Sequence, residues 1–488
     1  MRILQVVHTF MPECVGGTEV HTYQLARDLR ARHHEVAVFY RSVAQDQPDL
    51  SLREDSYEGI PVFRFVNRNP WKHGPLFWHF IPEAEPHFLE ALDRFQPDLV
   101  HFQHLSAGLS SSFVRLAAAR GLPTLLTMHD YYCLCPISQL RTVSGELCQG
   151  PEGGMRCYQC HPPAFEAQAP PVSASLGRLR QELASFGLRA TVLRAAGYAI
   201  MRLVWPWLQQ RIAAVDTQTP LRLGYTARDR YFRQLLDIPD ALLSPSQFLR
   251  RTFENWGIPG GRILHIRNGV EPEGLRRPRV TGSGKLRLVY LGAIQVDKGL
   301  DVLVEAMQSL KKAPVELRIY GNDRLWPETI QYADGLRRRA AGAQVSFMGP
   351  LPHSQVGEVL AASDALVLPA VRYENCPISI LEALYAGVPV IAANLGGMAE
   401  LVRDGHDGIL FRPGDAGDLA NKVRQLASDP TLLEKLRQGI GEVPTTAQVS
   451  EKIERVYERL LELRRQGLHG AEAQRALAAW HAGQEAAQ

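Results

Sequence analysis

The sequence predicts an α/β protein built of two doubly wound parallel sheets, and three observations carry that expectation. Short apolar, β-branched runs alternate with stretches of helical periodicity in both halves of the chain. Strands separated by helical crossovers build parallel sheets with helices on both faces. The alternation starts afresh after a Pro- and Gly-rich stretch at 272–284, and 488 residues exceed what one ordinary core accommodates.

In the first half, residues 2–8 read as a buried strand running into a Gly16-Gly17 turn. Residues 18–32 carry helical apolar spacing at Val20, Tyr23, Leu25 and Leu29, and 35–40 is the next strand. The strand pattern returns at 99–103 and 123–130, around a helix at 110–119, and again at 241–243. Two segments interrupt it: a loop-like, cysteine-rich stretch at 133–171 and a basic amphipathic insert at 176–213. In the second half, 286–291, 316–320, 345–348, 365–368 and 389–392 read as strands, each followed by a helical stretch. A helical pattern at 450–465 is expected to pack back on the body, and the Ala- and Gln-rich end beyond Gly467 to be loosely held. The expected units are 1–245, 246–445, and a C-terminal helix and tail at 446–488.

Composition narrows the partners. A formal net charge of +3, with no basic stripe interleaved with aromatics, gives no reason to expect nucleic acid. The opening apolar run ends at His8 and Pro12-Glu13, short of a secretory core, and no uncharged apolar run reaches the ~18 residues of a membrane span. A cytoplasmic location is therefore expected. There, seven cysteines read as reduced thiols or a metal site rather than a disulfide framework.

Two motifs carry the chemistry. The first runs from Arg372 through Glu374, Asn375, Cys376, Pro377, Ile378 and Ser379 to Glu382, directly after a strand. Pro377 suits the first turn of a helix, so the amides of Asn375, Cys376, Ile378 and Ser379 would face the carboxyl edge of the sheet, where phosphate or sugar hydroxyls bind. A carboxylate accepts two hydrogen bonds and suits a vicinal diol. Glu374 read plainly is a helix cap; Glu382, set among Ile378, Leu381, Ala383 and Leu384, needs a partner. The second motif, Gly292 to Gly299, joins a strand to a helix through a glycine turn and ends in Lys298, a cation able to meet a diphosphate. In the first half, His129-Asp130 closes a strand at the corresponding edge.

These residues, with Gly387-Val388-Pro389-Val390, Gly396-Gly397-Met398-Ala399-Glu400, Ser244-Pro245-Ser246 and Asn268-Gly269-Val270, resemble the retaining GT-B glycosyltransferases of family four. The resemblance covers most of the chain from Met1 to about Leu426 and excludes the insert. It implies two facing Rossmann-like domains with the active site in the cleft between them. It also implies transfer of a hexose from a UDP- or GDP-sugar to a saccharide or lipid-linked saccharide in bacterial surface-polysaccharide synthesis. By the same resemblance, Glu374 lies beside the donor sugar, Glu382 holds the ribose hydroxyls, and amides of Cys376, Ile378 and Ser379 meet sugar and phosphate. Lys298 and the Gly292 turn meet the diphosphate, Gly16-Gly17 approaches the donor from the other side, and His129 contacts the transferred sugar. No metal or other cofactor is required for catalysis, and the leaving diphosphate helps take the acceptor's proton. The chain departs from the family at Ala293, where an arginine is usual; Arg372 is the candidate substitute.

Cys135, Cys148, Cys157 and Cys160 leave two expectations open: a structural zinc, with His161 as an alternative ligand, or four reduced thiols in a lid. The insert likewise reads either as a helical pair over the acceptor cleft or as a surface for anionic membrane. A nucleotide-sugar epimerase or hydrolase, and a non-catalytic sugar-nucleotide binder, are the competing functions.

Overall fold

The structure, a computed structural model, describes residues 1–14, 16–69, 79–105, 108–142, 144–160, 218–275, 284–324 and 327–486. The insert at 176–213, His161 and most of 272–284 lie outside them. Two sheets form, as expected. The first has the order β3 (Leu52–Tyr57), β4 (Ile60–Val66), β2 (Glu35–Ser42), β1 (Arg2–Val7), β5 (Leu99–Phe102), β6 (Thr124–Thr127), β7 (Ala241–Ser244), β8 (Ile263–His265). The second has the order β11 (Val345–Gly349), β10 (Val315–Tyr320), β9 (Leu286–Leu291), β12 (Ala365–Leu368), β13 (Val390–Ala393), β14 (Gly408–Phe411). In the first, β1 (Arg2–Val7) pairs in parallel with β2 (Glu35–Ser42) on one side and β5 (Leu99–Phe102) on the other. In the second, β9 (Leu286–Leu291) lies between β10 (Val315–Tyr320) and β12 (Ala365–Leu368). Winding therefore reverses between β1 and β5, and again between β9 and β12. The carboxyl ends at such switch points are where open α/β sheets bind ligands.

The first sheet is buried on both faces, and its strands divide their side chains by alternation. Leu4 and Val6 face Phe39, Phe88, Phe102 and Phe113, where Phe88 and Phe113 stack at 4.2 Å. Ile3 and Val7 face the other way, against Leu25 and Leu29 of α1 (Gly17–Ala31). That second face is completed from the far end of the chain. The C-terminal helix Thr446–Arg465, started by a capping box between Thr445 and Gln448, lays Ile453, Val456, Tyr457 and Leu460 into it. The Tyr457 hydroxyl meets His101 Nδ1 at 2.7 Å, which satisfies a buried imidazole on β5.

Three expectations change. The first unit does not end at 245: β7 (Ala241–Ser244) pairs with β8 (Ile263–His265), so the helix Gln247–Trp256 and β8 belong to the first sheet. The end beyond Gly467 is not loose. It forms a helix, Gly470–Ala486, that buries Ala473 and Leu477 one turn apart and ties Gln474 Nε2 to the carbonyls of Leu236 and Pro239. A small residue, a polar residue and one leucine hid that face from a reading by composition. Strands β3 (Leu52–Tyr57) and β4 (Ile60–Val66) add an unforeseen antiparallel hairpin. The exposed run Arg53-Glu54-Asp55 conceals β3 and guards the sheet edge against pairing with another chain.

Candidate active site

The donor-side cluster starts with two close backbone approaches. Gly299 has φ of 69°, and a Cβ there would lie 2.0 Å from the carbonyl oxygen of Pro369, so the Gly292–Gly299 loop rests directly on the loop after β12. Gly397 donates its N–H to the Glu374 carbonyl at 2.7 Å, and a Cβ on it would lie 1.6 Å from the Asn375 oxygen. Only glycine fits either contact. Held between them, Glu374 accepts from Lys298 Nζ at 2.7 Å and from Arg372 Nε at 2.9 Å, both at Oε1. Arg372 also donates to Asp297 at 2.5 Å. Burial alone would raise the Glu374 carboxyl, but Lys298 and Arg372 outweigh it and hold it at about 2.

The helix after this loop runs Ile378–Tyr385, with Pro377 at the N-cap rather than inside the first turn. The amides of Ile378 and Ser379 at its start have no helical carbonyl to reach, while Ile380 N–H already donates to the Pro377 oxygen at 3.1 Å. Cys376 is buried, and burial raises its thiol to about 12, so the side chain is a neutral thiol. Glu382 is 6% exposed and finds the partner its surroundings demand in His353, at 2.9 Å. It stands apart from the Lys298–Glu374 cluster.

The first half meets this loop directly. Asn375 Nδ2 donates to the backbone oxygen of His129 at 2.6 Å, while Asn375 Oδ1 is buried with no partner among the described residues. A Cβ on Gly17 would lie 3.9 Å from Ile378 Cδ1, so the start of α1 covers the start of the donor helix. Tyr131 packs edge-on against Tyr373 at 6.2 Å, and its buried hydroxyl has no partner among the described residues. His129 Nε2 meets Gln103 Oε1 at 2.8 Å. Burial, then the neighbouring imidazoles, push His129 well below the usual histidine value, so it is neutral at physiological pH.

The sequence singles out one histidine at a strand end here; the structure places three. His8 follows β1, His104 follows β5, and His129-Asp130 follow β6 (Thr124–Thr127). His8 stands 3.1 Å from Glu19, which also accepts from Thr9 at 2.6 Å, and its ring lies 4.2 Å from that of His104. His104 binds Asp130 at 2.8 Å; burial lowers its value, but Asp130 prevails and raises it. The rule that ligands bind at strand carboxyl ends applies to His8 and His104 as it does to His129. Glu400, also missed as a structural residue, accepts from the backbone N–H groups of Gln247 and Phe248 at 2.9 and 2.8 Å. It thereby caps a helix of the first half from the second.

Direct contacts thus join Lys298, Arg372, Glu374 and Asn375 of the second half to His129 of the first, with Gly17 set against Ile378. Gly16, Gly292, Cys376 and Ser379 belong to the same loops and helix start in sequence, and Glu382 pairs with His353 instead. A hollow of about 1290 Å³ lies elsewhere. It is bordered by Arg267, Arg437, Lys452 and Trp480 and holds none of these groups. Convergent charge, rather than cavity size, marks the site. Cys135, Cys148, Cys157 and Cys160 line a separate small cavity. Among the described residues, no three His, Cys, Asp or Glu side chains already stand in a metal-holding arrangement. No described helix is long and apolar enough to cross a membrane.

Comparison with known proteins places similarity in both halves. Residues 274–442 match the model described as Glycosyl transferases group 1, and 15–144 the model of Glycosyltransferase Family 4. Glycogen synthase of Mycobacterium tuberculosis is 30% identical over 203 residues, 40% of this chain and 47% of that protein. Sulfoquinovosyl transferase SQD2 of Arabidopsis thaliana is 30% identical over 204 residues, 39% and 38% of the two chains. The chain thus spans about half, or less, of the length of these curated relatives. Among solved structures, sucrose-phosphate synthase from Thermosynechococcus elongatus superposes with a TM-score of 0.63 at 17% identity, over 94% of this chain and 99% of that one. HepE of Anabaena, solved with UDP-glucose, gives 0.58 at 15% identity over the same shares. Identities this low speak for the fold.

Proposed function

The chain belongs to the GT-B glycosyltransferases of family four, and from that premise we propose that it is a retaining hexosyltransferase. It moves a sugar from a nucleoside diphosphate donor to a saccharide or lipid-linked saccharide in bacterial surface-polysaccharide synthesis. One observation carries the proposal: Lys298, Arg372 and Glu374 converge after the switch-point strands of one half, and Gly17 and His129 of the other half touch the same loop.

The chemistry follows from the charges. Lys298, Arg372 and the first-turn amides supply positive potential for a departing diphosphate. Arg372 stands where a second cation is needed, since position 293 is alanine. As the glycosidic bond breaks, positive charge grows on the sugar ring. An ionised Glu374 and a neutral His129 are the two neighbours that tolerate it. The acceptor oxygen then attacks from the leaving group's side and passes its proton to the diphosphate, which keeps the anomeric configuration. Lysine, arginine and helix dipole carry the charge in this scheme, so it needs no divalent ion. The solved relative with UDP-glucose in its title supports a UDP-sugar as the first donor to try. The basic, apolar sequence at 176–213 supports a lipid-linked acceptor and a cytoplasmic, membrane-bordering location.

The test is a panel of UDP- and GDP-hexoses, first by thermal shift and then by transfer to a polyprenyl-linked saccharide. A donor at about 100 times its Kd stabilises by about 2.7 kcal/mol. Transfer is expected only with acceptor present, and with retained configuration. Donor turnover without acceptor would instead support an epimerase or hydrolase, and silence across every donor would remove the proposal.

A further inference from the structure

Tyr131, Tyr132, Leu134 and Leu140 pack into the core of the first half, and around them four cysteines from three segments face one small cavity. Cys135 comes from the turn after Tyr131. Cys148 comes from a hairpin, where its N–H donates to the Leu140 oxygen at 2.7 Å and Thr142 N–H to that of Glu146 at 2.7 Å. Cys157 and Cys160 lie on the short helix Met155–Cys160, three residues apart and so on one face.

The backbone around the sulfurs is shaped for acceptors of unusual strength. Ser138 and Leu140 adopt left-handed conformations, with φ of 61° and 46°, which non-glycine residues hold only at a cost. That turn is closed by the Ser138 N–H, which donates to the Cys135 carbonyl oxygen at 2.9 Å. Gly150, at φ of 122°, donates its N–H to Cys148 Sγ at 3.4 Å. A neutral thiol is a poor acceptor and gains little from such donors, whereas a thiolate gains much. All four cysteines are free of disulfides. Arg228, 4% exposed, anchors the same loop by donating to the carbonyls of Tyr132 and Cys133. Its charge lies close enough to offset part of an anionic sulfur cluster.

We propose that Cys135, Cys148, Cys157 and Cys160 bind a tetrahedral Zn2+ through four thiolates. Binding releases four protons to solvent, one from each thiol, and leaves a Zn(S–Cys)4 centre of net charge −2. The sulfur rotamers close on the ion from the looser arrangement described here, to Zn–S distances of about 2.3 Å. The centre is structural. It fixes the loop that carries Tyr131 against Tyr373, and so one wall of the cleft.

The test uses the full chain, expressed in zinc-supplemented medium and purified without chelators. Elemental analysis is expected to find about one zinc per chain. A mercurial that titrates the thiols of the wild-type protein should release it to a chromogenic chelator, a readout that needs no variant to fold. Cys157→Ser and Cys135→Ser should lose the metal while Cys14→Ser keeps it. Refolding with Co2+ in place of zinc should give the intense bands of a tetrahedral thiolate site. Less than a tenth of a zinc per chain, a Cys157–Cys160 disulfide, or metal that survives Cys157→Ser would each overturn the proposal.

Discussion

Glu374 is the residue on which the site's charges balance, because one carboxylate oxygen serves both Lys298 and Arg372. Its value of about 2 lies below that of an unfolded glutamate, so its stabilising contribution is complete above about pH 4.5 and is lost as pH falls toward 2. Glu374→Gln should therefore destabilise the protein by a constant amount, about 2 to 4 kcal/mol, across pH 6–8. Denaturant titration checks this, and a gap that changes between pH 6 and 8 would contradict it. The same substitution leaves two cations uncompensated, which a nucleoside diphosphate can neutralise. UDP is expected to bind the variant at least as tightly as wild type while transfer falls about a hundredfold or more, a split of about 2.7 kcal/mol between binding and turnover. Loss of both together would mean that Glu374 merely holds the fold.

At the scale of elements, glycines decide where loops can touch. Gly397 opens the helix Gly396–Leu401, and its N–H and missing Cβ hold the Glu374-Asn375 backbone. Gly397→Ala should leave the sheet intact by circular dichroism but weaken donor binding by about tenfold or more, roughly 1.4 kcal/mol. Unchanged calorimetric affinity would show that the loop tolerates displacement. These elements were legible in the sequence because turn residues and buried strands have local signatures: the Gly292 to Gly299 turn, the helix that follows the Glu374 loop and the switch-point strands all stand where those local signals put them. What escaped notice depends on distant neighbours. The 3.9 Å approach of Gly17 to Ile378, the Lys298–Arg372 sharing of Glu374 and the His353–Glu382 pair each join residues far apart in sequence. The last helix escaped because its buried positions, Ala473, Gln474 and Leu477, lack the apolar stripe that periodicity seeks.

At the scale of the whole molecule, contacts among the described residues join the two halves at the far end and near the site. The C-terminal helix Thr446–Arg465 returns to the first sheet, and Arg32 and His34 both bind its Glu454. Near the site, Glu400 caps Gln247 and Phe248, and Asn375 reaches the His129 carbonyl. These contacts explain why the boundary at 245 failed. The chain weaves β8 into the first sheet before crossing, and no local composition marks a pairing between Leu242 and Ile263. They also state the central claim, that one donor is held by both halves at once. Gly17→Val tests it most directly, because Gly17 opens α1 in the first half, points at Ile378 and lies outside the donor half. Isothermal titration of the preferred nucleotide sugar should show affinity weakened about tenfold or more, about 1.4 kcal/mol, with the fold retained. Affinity equal to wild type would mean that the second half binds the donor alone.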